Sequence, residues 1–143
     1  MANNPKPSAQ SKDEMLSTLN YLREQYQNQY FEVGQALNAA LEMLTDMNNT
    51  RATLEKADFV SNKESLMPLS RYAYVNAKLT KVDSAIVNVG ANYFLEYSID
   101  GAKEFISKLL DRQTKFINQL MKSKSELENA LIDVTSRLDR LTE

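Results

Sequence analysis

The sequence predicts a mainly α-helical protein with a small β insertion: a long antiparallel coiled-coil hairpin interrupted by two β-hairpins. Three observations carry that prediction. Residues 16 to 54 keep a hydrophobic repeat of 3.5 residues, the signature of a coiled-coil seam, and residues 99 to 141 do the same. The roughly forty residues between them change to a repeat of two, as strands do.

The polar opening stretch, residues 1–10, holds Pro5 and Pro7 and too few apolar side chains to order itself, so it is expected to be a disordered tail. Ser11-Lys12-Asp13-Glu14 fits the S-x-x-E capping box, in which hydroxyl and carboxylate satisfy free N–H groups at a helix start. The first coiled-coil helix is therefore expected over 11–57. Its seam steps through Leu16, Leu19, Arg23, Tyr26, Tyr30, Val33, Leu37, Ala40, Leu44, Met47, Arg51 and Leu54, ten of twelve apolar. Arg23 and Arg51 either set register through partners across the hairpin or reach past the seam to water. Gly34, beside the seam, either is tolerated at a cost of about 1 kcal/mol relative to Ala or permits close approach of a partner helix, and the first reading is preferred.

Residues 58–97 form the β segment. Leu66 to Leu69 reads as a short strand kept near an edge by Pro68. Arg71 to Leu79 alternates aromatic or polar with aliphatic residues, and Ala85 to Val89 and Tyr93 to Tyr97 are rich in β-branched and aromatic types. Thr80 to Ser84 is expected as a loop between the first two of these, and Gly90-Ala91-Asn92 as the turn before the last. Two small hairpins result. The second coiled-coil helix, 98–143, has the seam Ile99, Lys103, Ile106, Leu110, Gln113, Ile117, Leu120, Lys124, Leu127, Leu131, Val134, Leu138 and Leu141, ten of thirteen apolar. Phe105, Leu109 and Phe116 widen its apolar face and are expected to pack on the first helix's end or under the sheet. At about 1.5 Å per residue each helix would be on the order of 60 Å long, so an elongated molecule is expected.

Composition excludes much. The 143 residues contain no Cys and no His, which removes disulfides, thiolate nucleophiles, imidazole or thiolate metal sites and His-based proton transfer. No catalytic, cofactor-binding or metal-binding residues are assigned, and no phosphate-cradling glycine loop is present, so neither an enzyme nor an energy-driven mechanism is expected. The net charge is −2, with seven acids against two bases in residues 13–55 and eight of each in 98–143. That distribution forms no basic stripe, so nucleic acid is not an expected ligand, and the aromatic residues Tyr21, Tyr26, Tyr30 and Phe31 read as packing rather than a base-stacking platform. No apolar run is long enough to span a membrane and no signal core opens the chain, so a soluble intracellular protein is expected.

Short hairpins with no covering helix leave strand edges unpaired and apolar groups on both faces, so another chain must meet them. The residues expected to make that contact are Leu69, Tyr72, Tyr74, Val75, Ile86, Val87, Val89, Phe94 and Leu95.

Several stretches resemble the prefoldin family. Leu66-Met67-Pro68-Leu69 is similar to the family's L-V-P-L, and Tyr74-Val75 with Lys78-Leu79 to its Y-V-P-G-K-L. Ser84 to Gly90 followed by Tyr93-Phe94-Leu95-Glu96 resembles V-I-V-x-V-G-x-G-Y-x-V-E, and Ser98 to Ala102 the S-x-x-E-A helix start. Two hairpins rather than one resemble the alpha-type subunits. Departures are Asn76-Ala77 in place of Pro-Gly, which is expected to change a turn after Val75, Asn92 in place of a glycine, and Gly101 in place of a glutamate. The resemblance implies an ATP-independent cytoplasmic holdase, a hexamer of two alpha-type and four beta-type subunits whose hairpins form an inter-subunit barrel. Its coiled-coil tips would capture non-native polypeptides and deliver them to a group II chaperonin, with no cofactor.

Tips that capture unfolded chains should expose apolar groups. The candidates are Met15, Leu16, Leu19, Leu22, Val134, Leu138 and Leu141, of which Met15 and Leu22 lie off the seam and are the better candidates for exposure. The competing reading is that these residues close the coiled coil. On the level of the whole protein, the alternatives are a scaffold that self-assembles through its hairpins and an adaptor for one folded partner.

Overall fold

The computed structural model describes residues 9–142. In chain order the elements are α1 (Ala9–Glu55), α2 (Ala57–Val60), β1 (Glu64–Pro68), β2 (Tyr74–Lys78), β3 (Ser84–Gly90), β4 (Tyr93–Ser98) and α3 (Ile99–Thr142). The fold is mostly helical with two antiparallel hairpins, β1–β2 and β3–β4, as the change of period predicted. The chain divides into two units: one combines the residues up to Leu41 with those from Lys115 onward, and the other is 42–114.

In the first unit the two helices run antiparallel. Met15 and Leu19 share a hollow with Arg137, Arg140 and Leu141, while Tyr30 and Leu37 share one with Met121, Lys124, Ser125 and Glu128. Every seam position from Leu16 to Ala40 and from Ile117 to Leu141 is buried or half-buried. Ala40, Ile117, Val134 and Leu138 alone among them are fully buried, because two helices offer no third layer to close the flanks. Lys124 lies at a seam position with its Nζ 5.1 Å from the Tyr30 ring centroid. Its stem packs against apolar surface while the charge meets the ring's electron-rich face.

Gly34 is half-buried, and a Cβ added there would meet nothing within 4 Å. No helix approaches closely enough to require glycine, so the tolerance reading holds. Gly34→Ala is expected to raise stability by about 1 kcal/mol through lower unfolded-state entropy, read as an upward shift of the thermal or urea midpoint.

In the second unit Leu44, Met47 and Leu54 of α1 are half-buried, and Ala102, Ile106 and Leu110 of α3 are buried. Arg51, although at a seam position, is exposed and pairs with Glu55 of its own helix at 3.3 Å. The Tyr97 ring stacks on Phe105 at 5.5 Å, which joins the last strand to the first turns of α3 as the sheet-underside reading of Phe105 expected. Ser98 caps α3, its Oγ accepting from the Gly101 N–H at 3.1 Å. A Cβ on Gly101 would lie 3.1 Å from that same Oγ, so glycine leaves the cap room to close. On the exposed face of α3 the Lys108 ammonium, 2.7 Å from Glu104, holds that carboxyl below its ordinary range.

Several local expectations are corrected. α1 starts at Ala9, so Ser11 lies inside the helix and is not its cap. Residues 1–8 of the expected tail lie outside the described residues. α1 stops at Glu55, and Ala57–Val60 forms a separate short helix. Arg71 to Ala73 belong to a turn rather than a strand: the Leu69 and Ser70 N–H groups donate to the Ala73 carbonyl at 2.9 and 3.2 Å, and Ser70 Oγ accepts from the Tyr72 N–H. Thr80 to Asp83 joins two separate sheets and does not close a pair, because β2 bonds to β1 and β3 to β4. No turn follows Val75: Asn76 and Ala77 stay in the ladder opposite Leu66 and Ser65.

The second hairpin turns where expected. Ala91 and Asn92 both have positive φ, 48° and 61°, the mark of the mirror-image turns that match strand twist. Gly90, at φ 107°, precedes them beside a register shift, with Asn88 Oδ1 accepting its N–H at 2.9 Å.

Candidate functional site

The described residues present two apolar surfaces, one in each unit. In residues 42–114 the hairpins dominate. Their cross-strand pairs sort side chains by face: Ile86 sits opposite Glu96 and Asn88 opposite Phe94, while Ala85 and Val87 share the other face with Tyr97 and Leu95. Along β3 the exposure alternates, with Ala85, Val87 and Val89 half-buried and Ile86 and Asn88 exposed. In the first hairpin Met67 faces Val75, and Pro68 faces Tyr74.

Of the nine residues expected to meet another chain, Leu69, Tyr72, Tyr74, Val75, Ile86, Phe94 and Leu95 are exposed, and Val87 and Val89 are half-buried. Among the described residues, twelve of the twenty exposed large apolar side chains fall between Phe59 and Leu95. That density is far from the scattered single apolar groups of an ordinary surface. Leu66, Met67 and Tyr93 are exposed apolar strand residues too, and strand composition would have found them. Phe59 and Val60 are exposed as well, and lie in a short helix that periodicity does not resolve.

In the first unit the seven tip candidates separate by environment. Met15 is 49% exposed, and Leu16, Leu19, Leu22 and Leu141 are half-buried. Val134 and Leu138 are each only 6% exposed and lie in the seam. Ile132, one residue past the seam position Leu131, is 64% exposed. It lines an open hollow of about 540 Å³ with Gln27, Leu131, Thr135, Ser136, Asp139 and Arg140. Its outward heptad position was the available signal.

Among the described residues no cluster of acids could hold a metal ion, and no helix is long and apolar enough to cross a membrane. The strand-to-helix turn gathers Asp58, Lys81, Asp83, Asp100 and Lys103 around a polar hollow of about 240 Å³. Lys81 and Asp83 pair there at 2.9 Å, a contact that raises the Lys81 pKa. This is solvent-exposed charge compensation.

Comparison with known proteins agrees with the architecture. No curated protein is similar enough to count as a match. A cryo-EM structure of filamentous PFD from Methanocaldococcus jannaschii shares the fold, with a TM-score of 0.70 at 22% identity over 82% of this chain and 98% of that one. The sequence profile of the prefoldin subunit matches residues 26–143, which takes in both hairpins, all of α3 and most of α1. Helix, two hairpins and helix, in that order and with that sequence match, mean that the chain belongs to the prefoldin family, whose members are non-enzymatic chaperones that assemble with other prefoldin subunits.

Proposed function

We propose that the chain is an alpha-type prefoldin subunit, an ATP-independent cytoplasmic holdase that captures non-native polypeptides at its helix ends and passes them to a group II chaperonin. The observation that carries this reading is the pair of hairpins with unpartnered apolar surface on both. Two hairpins offer twice the edge of one, which suits a central subunit bonded to several neighbours. In this reading the hairpins complete inter-subunit barrels in a hexamer of two alpha-type and four beta-type chains.

Solution mass by light scattering, for the chain alone and mixed with a beta-type prefoldin subunit, tests it. A shift from a small species to a defined hexamer is expected. The second reading is a scaffold closed by copies of itself, for which the filament named for the archaeal structure is the motivation. A large homo-oligomer indifferent to the beta-type chain would select it.

Client capture draws on the helix-end residues Met15, Leu16, Leu19, Leu22 and Leu141, with exposed Met15 and Ile132 as first points of contact, while Val134 and Leu138 hold the seam beneath them. The double variant Met15→Ser, Ile132→Ser is expected to lose most suppression of aggregation of a chemically denatured protein while its unfolding free energy stays within about 1 kcal/mol of the parent. Undiminished suppression would remove these two residues from the client site.

A further inference from the structure

We propose that the subunit interface extends beyond the strands onto the connection between α1 and β1, with Phe59 as an aromatic anchor that inserts against a neighbouring prefoldin subunit. The inference rests on the hairpin-assembly reading above and adds a contact outside the hairpins. Phe59 is 70% exposed, and Val60 beside it is exposed too. They do not sit on a frayed loop. The Phe59 and Val60 N–H groups both donate to the Lys56 carbonyl, at 3.0 and 3.3 Å, and Ala57 is buried beneath the turn.

The turn is fastened to both hairpins. Ser61 Oγ donates to the Ala57 carbonyl at 3.2 Å and accepts from the Val82 N–H at 3.0 Å, in the segment that leads to β3. The Lys63 carbonyl accepts from the Leu79 N–H at 3.0 Å, at the end of β2. Phe59 is therefore carried rigidly by the same framework that presents the strands, five residues before β1 begins. Lys63 Nζ lies 3.0 Å from the centre of the Phe59 ring and covers one of its faces. The cation fixes the ring's orientation and leaves the other face open, and this attraction strengthens when a partner excludes water. A rigid, preoriented aromatic loses little conformational entropy on burial, which is the chemistry of an interface hot spot. Continuity decides the occupant: Lys63, whose ammonium covers the ring, is tied through its carbonyl to Leu79 at the end of β2, so the ring stands beside the first hairpin and a subunit that meets that hairpin also meets the ring.

The test compares the assembly midpoint of three chains by concentration-dependent light scattering, alone and with a beta-type prefoldin subunit: the parent, Phe59→Ser, and Ile86→Lys on the strand surface. Phe59→Ser is expected to raise the midpoint concentration about tenfold with an unchanged circular dichroism spectrum, because the side chain is exposed in the free chain. Should Phe59→Ser assemble like the parent while Ile86→Lys does not, the interface stops at the strands and this inference fails with the assembly reading intact. Should Ile86→Lys also assemble like the parent, the Ile86 face of the hairpin meets water in the oligomer, and this inference fails together with that placement of the interface. A second measurement covers misfolding of the serine variant. The chain has no cysteine, so Phe59→Cys places a single thiol at the anchor. Its alkylation is expected to slow at least tenfold on assembly, and an unchanged rate overturns the proposal.

Discussion

Replacing Leu138 with Ser is expected to melt the helix seam rather than merely blunt a client surface. Leu138 is 6% exposed and lies between the helices of the first unit. Truncating a buried leucine costs about 2–5 kcal/mol, and the serine hydroxyl adds a polar group to an apolar layer. The two-helix interface moderates the figure, since water reaches its flanks and part of the cavity can collapse or fill. A loss of about 3 kcal/mol is expected, seen as a melting midpoint roughly 10 °C lower. Val134→Ser should behave alike. Met15→Ser, at a half-exposed site, should shift the midpoint little. If Leu138→Ser left the midpoint unchanged and lost only aggregation suppression, the seam burial would be wrong for the chain in solution and Leu138 would return to the front of the client site.

That contrast shows what a heptad pattern can and cannot say about function. The repeat is local and survives scattered polar residues, so all thirteen seam positions of α3 read from spacing are buried or half-buried, Lys103 and Lys124 included. Exposure beyond the seam depends on how two helices shade each other. Met15 and Leu22 occupy equivalent positions one heptad apart, yet Met15 is exposed and Leu22 half-buried, because neighbours differ near a helix end. Ile132, one residue past the seam position Leu131, stands on the outward face by simple counting and is exposed there.

The β segment was legible in kind and less so in pairing. Strand composition located all four strands to within a few residues. The turn at Leu69 to Ala73 contains neither Gly, Pro nor Asn. Its chain reversal rests on two N–H groups converging on one carbonyl and on the Ser70 hydroxyl. Without the usual punctuation, Arg71-Tyr72-Ala73 looked like the start of a strand. The capping box at Ser11 failed for the opposite reason: a good local signal was overridden by a helix that continues through it. Helix α2 is a single turn, too short for any period to register.

Ile86→Lys is expected to abolish assembly while leaving the free chain folded, and the cross-strand geometry is the reason to choose lysine. Ile86 faces Glu96 on the same side of the second hairpin, so a new cation gains an opposite charge directly across the ladder. Aspartate would set two acids face to face and confuse a weakened hairpin with a weakened interface. In the free chain Ile86 is 74% exposed, and its removal there costs little. In the proposed barrel the same position is enclosed, and a desolvated ammonium there costs several kcal/mol that Glu96, already bonded by Ser84 Oγ, offsets only in part. A loss of about 3 kcal/mol in association corresponds to a hundredfold rise in the assembly midpoint, enough to hold the chain in its small form at micromolar concentrations. Circular dichroism of the isolated chain should be unchanged. An Ile86→Lys chain that assembled at the parent's midpoint would mean that this strand face meets water in the oligomer, and the interface would have to lie on the opposite face, with Val87, Leu95 and Tyr97.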